Sequence, residues 1–538
     1  MDVASSAGWF CCNMERNGIY KLGFATGSTL HYWLGDVTVV KKAVQSIPSL
    51  PHRYISWWKE MVRSDPVHVC IETILISFVV YMIFSSRKQQ QKKLNFDRRE
   101  KLTKEEEDEL LKEWKETGRS PLAPPLSTLP ENSKTTTNDV VVSKVEGPYV
   151  YIKDKKLLNF GTHDFLGMSN DKSVKEAARQ TLENYGCGSC GPRGFYGTID
   201  SHLHLEEAVS KTMNTDEAIM YSDGASAATS TVAAFAKRGD LLVVDEGIYE
   251  ALGTGVALSR ANIKYFRHND MDDLRRVLER VHATDQQIKR KSSEQRRFIV
   301  VEGLYKNYGT IAPLDKIIAL KEEFAYRLIV DESYAFGTLG ETGKGTIEMF
   351  GVKPMRDVEI ITFSLENSIG SVGGVTVGSE EVVDHQRLSG AGYCFSASCP
   401  PFLATAAMTS IQKMESADGK ARIKELHNNV NYFYSNFKPT DEYQIISNVS
   451  SPLVILQFSK DIQKSKKFAE QTQLFDQVVS ICMDKGVALI STGGHVKHHI
   501  HRVPAPAIRL TISCLQTSKD IQTAIDTLQY ALRTVLKN

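Results

Sequence analysis

The chain has 538 residues, 24% of them charged, and its 65 lysines and arginines against 64 aspartates and glutamates leave a formal net charge of +1. So even a balance supplies no global field to draw in nucleic acid, and any partner must be recognised locally. Nine cysteines without an extracellular spacing pattern argue for reduced thiols, and Cys187-Gly-Ser-Cys190 lies in a glycine-rich run where neither a redox motif nor a metal site is expected.

The first fifty residues show no charged-then-apolar leader, Asp2 excludes a myristoylated start, and no function is assigned to them. Tyr54, Trp57, Trp58, Met61 and Val62 then recur at helical spacing between Arg53, Lys59, Glu60 and Arg63, which predicts a helix lying in a membrane interface within residues 1–66. Residues 67–84 are mostly apolar, and as a helix they reach roughly 27 Å, enough to cross a hydrocarbon core. His68 and Glu72 fall in the first two turns of that span, where headgroups or a partner helix can satisfy them. Arg87, Lys88, Lys92, Lys93, Arg98, Arg99 and Lys101 follow it, against Arg53, Lys59 and Arg63 before it, so a single span with the bulk of the chain on the cytosolic side is expected.

Residues 85–139 predict a cytosolic helix followed by a proline-rich linker. Thr103 and Glu106 form a capping box for the helix, and the linker runs over residues 120–138. From residue 140, apolar runs of strand length at 218–221, 241–245, 264–267, 298–302, 327–331, 359–364 and 375–378 alternate with helical periodicity, as over 274–281 and 314–324. Such runs fit strands buried on both faces. The prediction is an α/β domain over residues 140–398 with a mostly parallel seven-stranded sheet. A smaller α+β domain over 399–538 has strands at 453–458 and 509–513, a helix at 475–485 and a terminal helix from Asp520. The polar run 286–297 reads as a solvated loop.

Residues 362–374, TFSLENSIGSVGG, resemble the cofactor-lysine loop of the α-oxoamine synthase family of pyridoxal-phosphate enzymes. Counting back six residues from the first glycine of Gly373-Gly374 puts the family's imine-forming lysine at Asn367, and the carboxamide there has no nucleophilic amine. Tyr221-Ser-Asp-Gly224 resembles the turn that seats the cofactor phosphate on a helix N-terminus. In residues 245–249, DEGIY, Tyr249 stands where the family stacks a histidine on the pyridine ring. In residues 330–334, VDESY, Asp331 keeps the aspartate that pairs with the ring nitrogen, while Tyr334 replaces a second histidine. Arg509 matches a family arginine, but Ala507 stands at its usual neighbour, so no substrate role is carried over.

The resemblance implies a fold-type-I pyridoxal-phosphate transferase fold whose chemistry has lapsed: no catalytic residue, no covalently held cofactor, and degenerate positions at Tyr249, Asp331, Tyr334 and Asn367. The glycines at 337, 340, 343 and 345 that shape the backbone are kept, which argues against random decay. Residues 185–197 and 385–398 are similar to the lysine-lacking subunits of membrane-bound members of the family. That implies an obligate heterodimer with a lysine-bearing subunit that holds the pyridoxal phosphate, together with small activating and regulatory membrane subunits. It also implies residence in the endoplasmic reticulum membrane with a lumenal N-terminus. The implied reaction condenses L-serine with palmitoyl-CoA, releasing CO2 and CoA and giving 3-ketosphinganine.

Cys190, Arg193, Phe195 and Tyr196 are the candidate residues presented to the partner's site, the alternative being a loop internal to this chain. Two other readings stay open here. One is an autonomous synthase using Lys306 or Lys344, the other a membrane scaffold with no part in sphingolipid synthesis.

Overall fold

The computed structural model describes residues 140–291, 294–493 and 502–537, together with short helical stretches between residues 56 and 112. It divides into two units, Met1–Leu129 and Pro130–Asn538.

In the first unit, residues 71, 74–79, 81 and 82 are helical, and Ile71, Ile74, Leu75, Ile76, Phe78, Val79, Tyr81 and Met82 are all exposed. No helix among the described residues is long and apolar enough to cross a membrane, so the span expected over residues 67–84 is not found. Much of that span lies outside the described residues, as do Tyr54, Trp58, Met61, Val62 and the Thr103 and Glu106 capping box.

The second unit opens with three short strands, β1 (Val142–Glu146), β2 (Tyr149–Ile152) and β3 (Lys155–Asn159). Its main sheet then takes β4 (Glu217–Tyr221), β5 (Leu241–Asp245), β6 (Asn262–Phe266), β7 (Arg297–Glu302), β8 (Arg327–Asp331), β9 (Ile360–Ser364) and β10 (Gly374–Gly378) in the order β4-β10-β9-β8-β7-β5-β6. Alternation along the strands builds two cores. Leu242, Val244, Phe298, Val300, Ile329 and Ile360 pack one face toward the helices Gly224–Phe235 and Glu250–Ser259. Val243, Ile299, Val301, Leu328, Val330 and Ile361 join the larger core on the other face. Every residue of β5, β7, β9 and β10 is buried, which is why these strands read as continuous apolar runs without a polar stripe.

β10 runs antiparallel to both of its neighbours, β9 and β4. Antiparallel strands can be joined by a short loop where parallel ones need a crossover, and residues 365–373, which contain Asn367, are that loop. Tyr221, Asp245, Glu302, Asp331 and Ser364 are the last residues of β4, β5, β7, β8 and β9. The polar groups of the candidate site therefore gather at the carboxyl edge of the sheet, where open α/β folds place ligands.

The remaining strands are β11 (Tyr443–Ile445), β12 (Leu453–Phe458), β13 (Val487–Ala488), β14 (Ile490–Ser491) and β15 (Ile508–Thr511), and β11-β12-β15-β14 form a separate antiparallel sheet. The terminal helix runs over Ser518–Lys537. β1-β2-β3 pair instead with β13, Leu158 opposite Val487. The strands that open the expected 140–398 domain are thus completed by the C-terminal region.

A second correction concerns residues 286–297. The helix Met271–Ile288 continues into them, and Arg297 is buried with its guanidinium 2.7 Å from Asp285, so the run is partly an internal ion pair.

Candidate functional site

Asn367 is buried, and its side-chain amide donates to the backbone carbonyl of Ser333 at 2.7 Å. Ser333 in turn donates its backbone N–H to Asp331 at 2.9 Å, and its hydroxyl accepts from the backbone of Ser364 at 3.1 Å. The loop after β9 is thereby fastened to the loop after β8 through the side chain that stands at the lysine position. An amide that gives up a hydrogen bond in a buried place leaves an unpaired carbonyl behind, so this asparagine has a structural role of its own.

Asp331 is fully enclosed and accepts from the Tyr249 hydroxyl at 3.1 Å. Burial raises its carboxyl to about 6, and the bonds from Ser333 and Tyr249 act in the opposite direction. A protonated pyridine nitrogen would have to stand within hydrogen-bond reach of this carboxylate, and the phenol oxygen already occupies such a position. Tyr334 lies across from Tyr249 with ring centroids 6.4 Å apart and near-perpendicular planes, so two packed phenols take the volume that imidazoles would leave more open. Burial pushes both phenols well up, which keeps them neutral.

His163, on the segment between β3 and the helix Lys172–Tyr185, was not singled out by the sequence, yet its ring lies edge-on to Tyr334 at 5.1 Å and beside Asn367. Its Nε2 has no hydrogen-bond partner, and burial followed by the nearby Arg509 and Lys306 charges pushes its basicity well down. A single histidine in THDFLG has no spacing signal to mark it.

Arg509 reaches the same region from β15, near Tyr334 and Glu250, with its Nε unpaired. Lys306 lies over the Tyr249 ring, 5.6 Å from its centroid, but its ammonium is ion-paired with Glu250. Lys344 faces Glu415 at 3.9 Å. Both amines are engaged by carboxylates.

The phosphate-turn candidate is closed on itself. Asp223 caps the helix Gly224–Phe235, accepting from the backbone of Ser226 at 2.7 Å and from its hydroxyl at 2.6 Å. The Gly224 N–H donates to the Glu366 carboxylate at 3.2 Å.

These residues therefore do not fit pyridoxal phosphate: the amine is missing, a phenol holds the ring-nitrogen carboxylate, and two carboxylates take the phosphate donors. The scaffold around them is nevertheless intact. Gly337, Gly340, Gly343 and Gly345 have φ of +80°, +85°, +82° and +81°, where a side chain is strained, and a Cβ on Gly337 would come 2.2 Å from that of Ser368.

Of the four candidate partner-facing residues, Cys190, Phe195 and Tyr196 are exposed, Tyr196 completely so. Arg193 is a correction. It is buried, donates from both Nη atoms to Glu206 at 2.8 and 2.9 Å, and lies over the Tyr393 ring at 5.4 Å. Charge neutralisation inside the chain holds it inward, so it anchors the loop and cannot offer its guanidinium outward. Ser398 completes the anchor, its hydroxyl lying 2.8 Å from the carbonyl of Gly191 and 2.6 Å from that of Gly197. Cys190 and Tyr196 are held at φ of +58° and +64°, a conformation costly for residues with side chains.

Residues 155–528 match the family Aminotransferase class I and II. Serine palmitoyltransferase 1 of Dictyostelium discoideum is 36% identical over 484 residues, 89% of this chain and 96% of the relative. Long chain base biosynthesis protein 1 of Arabidopsis thaliana is 36% identical over 434 residues, 78% and 87% of the two chains. Among solved structures, a serine palmitoyltransferase from S. paucimobilis with a bound PLP-myriocin aldimine superposes with a TM-score of 0.64 at 26% identity, covering 74% of this chain and 93% of that one.

Proposed function

The chain belongs to the class I and II aminotransferase family and within it to the branch of serine palmitoyltransferase subunit 1, and from that premise we propose that it is the lysine-lacking subunit of a two-chain enzyme. Its place is in sphingolipid long-chain-base synthesis, in an acyltransferase complex of the serine C-palmitoyltransferase class. The partner is the lysine-bearing subunit 2, which holds the pyridoxal phosphate and joins L-serine to palmitoyl-CoA as 3-ketosphinganine with loss of CO2 and CoA. When bound in that partner, the cofactor supplies an electron sink for the carbon that loses CO2.

The observation that carries this reading is the Asn367 amide bonded to Ser333, a structural contact in the place of a nucleophile. Against an autonomous synthase stand the ion pairs of Lys306 and Lys344 with Glu250 and Glu415.

This chain contributes surface and support to the pair. Cys190, Phe195 and Tyr196 are offered to the partner from a loop clamped by Arg193, Glu206 and Ser398. An exposed aromatic pair on an anchored loop loses little backbone freedom on docking and can exclude water from a neighbouring site. The exposed apolar side chains of Ile71, Ile74, Leu75, Ile76, Phe78, Val79, Tyr81 and Met82 and the cationic run 87–101 support a single span in the endoplasmic reticulum membrane, with the N-terminus lumenal and the main domain cytosolic. Small membrane subunits would bind there.

Expression of each chain alone and together tests the proposal. Long-chain-base synthesis from serine and palmitoyl-CoA is expected only from the pair, and turnover by this chain alone contradicts it.

A further inference from the structure

Glu366, next to Asn367, straps the turn on which the family seats a cofactor phosphate. Its carboxylate accepts from the Gly224 N–H at 3.2 Å while its own backbone N–H donates to the Ser364 hydroxyl at 3.0 Å, so one residue bridges both walls of the turn. The walls touch: a Cβ on Gly224 would lie 2.7 Å from both Cβ and Oγ of Ser364. Gly224 is buried and is the first residue of its helix, and its N–H is among the donors without an intrahelical partner that give a helix N-terminus its affinity for anions. The Ser226 N–H and hydroxyl are both committed to Asp223. A dianionic phosphate would have to displace one carboxylate and lie beside another.

We infer that Glu366 is a further cofactor-excluding residue, independent of the missing lysine, which closes the phosphate end of this chain's vestigial site to pyridoxal phosphate and other phosphate esters. The inference rests on the reading that the partner alone holds the cofactor, and it assigns a cause for that asymmetry beyond Asn367. Because Glu366 is exposed, its grip can be removed without opening the core. Restoring the amine alone leaves the phosphate turn strapped, so freeing the turn as well should tighten cofactor capture even while Tyr249 still holds Asp331.

The test uses the two-chain complex with wild-type, Asn367→Lys, and Asn367→Lys with Glu366→Ala versions of this chain. Pyridoxal phosphate is titrated while bound equivalents per pair, imine absorbance, and borohydride-fixed label at residue 367 are measured. The double variant is expected to take a second equivalent at least tenfold more tightly than the single variant. Equal dissociation constants overturn the inference.

A measurement that does not depend on a new lysine guards against misfolding: inorganic phosphate should raise the melting temperature of the Glu366→Ala complex and not of the wild type. Equal shifts again overturn the inference. A wild-type complex holding no cofactor, or two equivalents, counts against the partner-held reading, while the difference between variants still decides the role of Glu366.

Discussion

The Tyr249 hydroxyl donates to the Asp331 carboxylate at 3.1 Å, putting a phenol oxygen where a protonated ring nitrogen would otherwise bind. The aspartate of the ancestral chemistry is kept but satisfied from within. This explains how it survives burial without a cofactor, since an unpaired buried carboxyl is costly.

The pair predicts a pH dependence of stability. Burial raises Asp331 from 3.8 to about 6, so its contribution is fully present below about pH 4 and is lost as pH rises through about 6. A shift of about two units corresponds to roughly 3 kcal/mol. Asp331→Asn should flatten this part of the urea-midpoint profile between pH 4 and pH 7. Tyr249→Phe, which removes a donor to the carboxylate, should move the loss to higher pH. Profiles of wild type and Asp331→Asn that run parallel would contradict the assignment.

Arg193 and Glu206 form a buried bidentate pair, and Glu206 also accepts from the Met220 backbone at 2.8 Å. Arg193→Ala leaves that carboxylate without its cation, at a cost of about 3–5 kcal/mol. Loss of stability and loss of activity in the complex should therefore appear together in chemical denaturation and turnover assays. A stable, assembled but inactive variant would return Arg193 to the interface.

Tyr196→Gly separates the two roles of the same loop. Glycine relieves the strain of φ +64°, about 1–2 kcal/mol, at the expense of about 0.5–1 kcal/mol of backbone entropy, so the two terms oppose each other and this chain is not destabilised. Thermal melting of this chain should not fall, whereas turnover of the complex should fall severalfold because the exposed ring is gone. Unchanged turnover would make the loop internal structure only.

Membrane topology is checked with tags. One placed before Trp57 should resist protease in sealed microsomes and one after Asn538 should be digested, following the lysine and arginine excess over residues 87–101. Cleavage of both would contradict the single span.

Much of the main sheet was legible because its strands are buried on both faces: LLVVD at 241–245 and RFIVVE at 297–302 announce themselves as apolar runs. The positions read as degenerate could be singled out because each sits at a fixed offset from retained glycines or acids. What was hidden depended on contacts distant in sequence. The pairing of Leu158 with Val487 leaves no local pattern, and the inward turn of Arg193 depends on Glu206, which lies on the next helix and shows no matching signal in the loop itself. His163 lacked a partner motif, and Glu366 looked like an ordinary loop acid until its reach to Gly224 was seen.

The most direct measurement is borohydride reduction of the assembled complex in pyridoxal phosphate, followed by peptide mapping of both chains. One pyridoxyl label per pair is expected, on a lysine of the partner, with none on this chain and none at Lys306 or Lys344 in particular. A stoichiometric label on any lysine of this chain would contradict its assignment as the subunit without a catalytic site.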